Sequence, residues 1–112
     1  MKFNNSMCDT QTLAASGEGY IIRCAECGRM QICFGIAAIM LKQDQFLRLK
    51  VHVAEAILYG EGYKTEPDRR SVSLPVNKTM ILCLSWNELT ALEDLVTQAA
   101  ALMEVYELLA KE

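Results

Sequence analysis

The residues of this chain best suited to chemistry are Cys24-Ala25-Glu26-Cys27, with Gly28 directly behind them. Two sulfurs at that spacing can turn toward one centre. A glycine after the second lets backbone amides close around them in a tight turn, which is how a zinc knuckle is built. A redox pair of the thioredoxin type would instead open a helix directly after a strand. Here the pair stands between two segments that read as strands. A knuckle therefore fits better, and a thiol-redox role less well. A structural zinc takes four ligands, and no second C-x-x-C follows. Cys33 lies on the returning strand, six residues beyond Cys27. Cys8 sits in a polar N-terminal stretch that could swing inward. The candidate metal ligands are thus Cys24, Cys27, Cys33 and Cys8, and zinc is the cofactor they would hold. A dimer could also pool two knuckles. The competing expectation is that Cys24 and Cys27 are plain turn residues, and that Cys33 and Cys83 act as small hydrophobes in apolar strands.

The only histidine is His52. On a helical wheel it falls with Arg48, Glu55 and Tyr59 on a polar side, so it reads as exposed and not as a ligand. Adjacent Arg69 and Arg70 could grip a phosphate or carboxylate. Glu61, Glu66 and Asp68 balance them, which favours a solvated loop. With one histidine and no phosphate-binding glycine loop, common catalytic frameworks are missing. Asp9, Asp44, Asp68 and Asp94 fall in separate elements, without a paired-carboxylate pattern. The expectation is a non-enzymatic protein with no catalytic residues.

The chain has 112 residues, the size of one domain. Apolar residues make up 52% and net charge is −3. The first argues against disorder by composition, and the second against broad nucleic-acid binding. Five cysteines, an odd count without a secretory signal, argue for a reducing, cytoplasmic setting. No apolar run reaches the roughly 18 residues of a membrane span.

The elements that must position these residues can be read from periodicity. Residues 1–9 are polar and aperiodic, a tail before a single domain at 10–112. Thr10–Ala15 suits an edge strand, and Ser16-Gly17-Glu18-Gly19 a turn. Tyr20–Cys24, Met30–Phe34 and Ile36–Leu41 continue as strands, the last buried, with Gly35 as a bulge or reversal. From about Gln43 the period becomes helical. Phe46, Leu49, Val53 and Ile57 form one stripe, and Leu47, Val51, Ala54 and Leu58 an adjacent one. Together they span about 200°, more than one covering surface can bury. The sheet covers one side; the second helix or a partner subunit must cover the other. Gly60 and Gly62 end the helix. A polar loop over 61–70 leads to a strand at Ser71–Val76, with Pro75 suggesting an edge. Thr79–Leu84 reads as a central strand. Ser85 and Glu88 form a capping box that opens a last helix, running to about Lys111. Its seam is Leu89, Leu92, Val96, Ala99, Met103, Tyr106 and Ala110. At about 37 Å that helix outreaches a core of this size, so its last two turns are free to meet a partner.

The run Gly19-Tyr20-Ile21, Cys24-x-x-Cys27-x-x-x-Gln31-x-x-Phe34-Gly35, with Phe46 in the following helix, resembles a family of small uncharacterised bacterial proteins, a domain of unknown function. The resemblance covers most of the chain from Gly19. It implies strands followed by helix, two strands and helix, and it implies no activity. Where that family carries Asn after the Phe-Gly pair and His two places before the Gln, this chain has Ile36 and Arg29. The second change removes a nitrogen ligand.

These readings give an α+β fold: a mainly antiparallel sheet of five or six strands with two helices on one face. The other sheet face is solvated or a dimer surface. The leading expectation for function is protein–protein contact, as a homodimer, with no nucleic-acid or membrane partner. Zinc-knuckle-like metal binding at Cys24 and Cys27 is the alternative.

Overall fold

Alternating apolar residues between Thr10 and Leu41 form four strands: β1 (Thr10–Ala15), β2 (Gly19–Cys24), β3 (Met30–Phe34) and β4 (Ala37–Leu41). A computed structural model describes residues 9–111. Cys8 and all of the expected tail but Asp9 lie outside the described residues. The four strands pair antiparallel in the order β1-β2-β3-β4. Helix α1 (Gln43–Tyr59) follows, then a 3-10 helix (Glu61–Thr65), strands β5 (Val72–Asn77) and β6 (Met80–Leu84), and helix α2 (Trp86–Ala110). This is the α+β fold expected, with both helices against one face of the large sheet.

Turn chemistry accounts for the meander. Gly35 takes a positive φ of 59° and closes the β3–β4 turn with Ile36, so it is a reversal and not a bulge. Gly19 sits so close to the Cys33 carbonyl that no Cβ would fit between them. The inward row of the sheet is Ile21, Met30, Ile32, Phe34, Ile39 and Leu41, all buried. Phe46, Leu49 and Val53 of α1 and Leu89, Leu92, Leu95, Val96 and Ala99 of α2 complete the core.

The six strands form two sheets, not one: among the described residues β5 and β6 pair only with each other. Pro75 lacks an N–H, and the register slips between Pro75 and Asn77, so β5 cannot serve as an inner strand. The hairpin instead packs by side chains, burying Val72, Leu74 and Leu84. Strand β6 is therefore not central, and Met80, Ile81 and Cys83 are exposed on it. Nor is β4 a fully buried strand. It is an edge that turns Ala38 and Met40 outward, while Ile36 projects from the turn into solvent. The segment expected as a plain loop begins with the 3-10 helix.

The start of α2 is tied down tightly. The Ser85 hydroxyl accepts from the Glu88 amide at 3.0 Å, and Glu88 Oε1 accepts from the Ser85 amide at 2.9 Å. Arg70 reaches the same carboxylate with two donors, at 3.1 and 2.8 Å. The Asn87 amide donates to the Pro67 carbonyl at 3.0 Å. Burial along the α2 seam lapses after Ala99. Met103 and Tyr106 are half-buried, and Val105, Leu108 and Leu109 are exposed.

Candidate functional site

The cysteine turn continues the β2–β3 ladder by one pair: the Cys24 amide donates to the Arg29 carbonyl at 2.9 Å. Gly28 closes the turn with a φ of 78° and an amide that donates to the Cys24 carbonyl at 2.9 Å. The Cys27 amide points at the Cys24 sulfur, 3.3 Å away. This is the amide-to-sulfur geometry that a knuckle uses. Cys27, Cys33 and Cys83 carry thiols, and Cys24 stands in a disulfide. A disulfide sulfur is not a thiolate ligand, so metal binding here requires Cys24 in its reduced form.

Among the described residues, the other sequence candidates are not gathered at this turn, and Cys8 lies outside them. Cys33 pairs across the ladder with Tyr20. That is four residues along β2 from Cys24, about 13 Å at strand rise. His52 lies against the hairpin, its Nδ1 3.2 Å from the Pro75 carbonyl. It is half-buried, not exposed as expected. Cys83 is on the hairpin. Among the described residues no three His, Cys, Asp or Glu side chains converge on one metal position. Cys33 and Cys83 are not core hydrophobes either. Strand alternation turns both outward, Cys33 half-exposed and Cys83 exposed.

On the outer face of the large sheet the register aligns two rows. One is Ala15, Tyr20, Cys33 and Ala38; the other is Thr12, Ile22, Gln31 and Met40. Neither row holds a charge. Gln31 Nε2 donates to Cys33 Sγ at 3.1 Å. A hydrogen bond to Cys33, and then the charge of its thiolate form, hold the Tyr20 phenol above its ordinary pKa. Sequence reading missed this cluster because its members are spread over two strands and meet only through register.

An open apolar surface runs along α1. Leu47, Val51, Ala54 and Leu58 face away from the core, and the three larger ones are 49%, 53% and 68% exposed. Helix α2 does not cover them. Their steps of four, three and four residues give the seam spacing of a paired helix. Arg48 and Glu55 flank the stripe on one side and Lys50 on the other. At the Leu47 end a cleft of about 490 Å³ opens between α1, α2 and the cysteine turn. Leu47, Ala100 and Met103 give it an apolar wall, and Arg23, Lys50 and Glu104 line it as well. Arg23 lies over the Tyr106 ring, 5.6 Å from its centroid. The expected pairing of the basic loop holds in part: Lys64 bonds Glu61 and Arg69 bonds Glu66. Arg70, however, is committed to Glu88.

The strand meander, the helix after it and the closing strand–strand–helix unit all fall within the span of one protein-family match. The family of unknown function DUF6686 matches residues 7–111. The chain belongs to that family. The DUF6686 match spans both the cysteine turn and the α1 stripe. No curated protein and no solved structure matches the chain. Among the described residues, no helix of this DUF6686 member is long and apolar enough to cross a membrane.

Proposed function

We propose that this protein works through contact between protein surfaces, without catalysis, and that it pairs with a second copy of itself. The uncovered stripe Leu47–Val51–Ala54–Leu58 carries the reading. A helix exposed to water on its outer side normally presents polar residues there. This one places three large apolar side chains, each about half exposed or more, at seam spacing. Contiguous apolar surface of that kind marks interaction sites. The outer sheet face is also uncharged, but Ile22, Gln31 and Cys33 there are already half-buried. It gains less from a partner.

The test is native mass spectrometry and sedimentation of the purified chain at graded concentrations. Wild type is expected to dimerise. Val51→Glu is expected to be monomeric with an unchanged circular-dichroism spectrum, since Val51 faces away from the core, and to melt as wild type does once diluted to monomer. A wild type that stays monomeric to millimolar concentration, or a Val51→Glu that dimerises as wild type does, sinks the reading.

Metal binding by reduced Cys24 and Cys27 is the second reading. What supports it is the amide of Cys27 directed at the Cys24 sulfur. Two ligands from each copy would complete a four-sulfur site only if the turns meet. Stoichiometric zinc in native mass spectra taken under reducing conditions would support it. Its absence after incubation with zinc would remove it.

A further inference from the structure

The geometry points to an antiparallel, twofold pairing of α1 with α1 of a second copy, in which Leu58 of each chain closes the cleft beside Leu47 of the other. This rests on the contact surface proposed above and specifies its partner and register.

In a twofold interface residue i meets residue j and residue j meets residue i. Opposed α1 helices satisfy this when paired positions sum to a constant. With Val51 facing Ala54 of the second copy, Leu47 faces Leu58, so all four stripe residues fall into complementary layers. The most exposed member of the stripe, Leu58, lies at the far end from the cleft. Antiparallel pairing carries it to the cleft of the other copy, where Leu47, Ala100 and Met103 offer apolar cover. A parallel pair would set Leu58 against Leu58 and leave both clefts open.

Charge agrees with this register. Arg48 and Glu55 lie on the same flank of the stripe, seven residues apart. In the antiparallel arrangement Arg48 of each chain comes opposite Glu55 of the other, twice by symmetry. Among the described residues of one chain, Arg48 is held by a 3.6 Å contact to Asp44, with both side chains about two-thirds exposed. So weak a pair leaves the guanidinium available. On the opposite flank Lys50 comes opposite Ile57, and no like charges are brought together. The opposed helix dipoles are favourable as well.

Charge reversal reads the register in sedimentation. Arg48→Glu alone and Glu55→Arg alone are each expected to weaken the dimer on the order of tenfold. The double variant is expected to return it to near the wild-type affinity. Melting curves check that each variant is folded. If Arg48→Glu leaves the dimer unchanged, or if the double variant fails to recover, the antiparallel register is overturned while the contact surface stands. A monomeric wild type overturns both.

Discussion

Glu88 serves two purposes with one carboxylate. It caps the first turn of α2 through the Ser85 amide, and it accepts both donors from Arg70. The Arg70 hydrogen bonds, chiefly, and the Ser85 amide hold its pKa below the usual carboxylate value, against a smaller opposing push from burial. A group with a depressed folded pKa adds stability that is fully present above its unfolded pKa. That stability is lost as pH falls through the folded value. Glu88→Gln keeps a capping acceptor but loses the charge. The variant should melt below wild type at pH 7, and the gap should close through the acid range, read by circular dichroism at graded pH. A gap that is the same at every pH would show that the charge is not what matters. The capping half of this arrangement was legible, because Ser85 and Glu88 are three residues apart. The Arg70 half was not, because 18 residues and a loop separate the partners and only the folded chain brings them together.

At the scale of elements, the period of two and the period of 3.6 located both helices and all six strands. The pattern of α1 also held a surplus: two apolar stripes where one surface can be buried. The structure buries the Phe46–Leu49–Val53 stripe and leaves the other bare. Which strands would be central was not legible. Thr79–Leu84 and Ile36–Leu41 are apolar on both faces, the pattern of an inner strand, yet Ile81, Met80 and Met40 are exposed. Their apolar content records surface and not depth. Helix α2 shows the same divide along its length. Leu89→Ala, at a fully buried position, should cost about 2–5 kcal/mol in urea denaturation. Leu108→Ala, on the exposed last turns, should stay within about 0.5 kcal/mol. Equal losses would mean that the end of α2 is packed after all. The cysteine turn was placed correctly between β2 and β3. What the spacing could not supply was further ligands, since Cys33 is carried away along the strand.

For the molecule as a whole, the two sheets share no backbone hydrogen bonds. The β5–β6 hairpin is held by the buried side chains of Val72, Leu74 and Leu84. A lone two-stranded hairpin is marginal in water, and cooperative units of a fold open with different free energies. Amides of β5 and β6 should therefore exchange with deuterium before the inner amides of β2 and β3 under native conditions. Uniform protection would show that hairpin and large sheet open as one unit.

Splitting six strands into two sheets also multiplies their open sides. Within the described residues β1, β4, β5 and β6 each have one flank without a paired strand. An unpaired strand flank is a template on which another chain can extend. Two of the four are blunted: β1 slips register between Thr12 and Ala14, and β5 does so beside Pro75. The other two, Ala37–Leu41 and Met80–Leu84, are apolar throughout and without a charged residue. Should the fold loosen, these two segments are where one molecule's backbone would be propagated into the next, and where a fibril of this protein would begin.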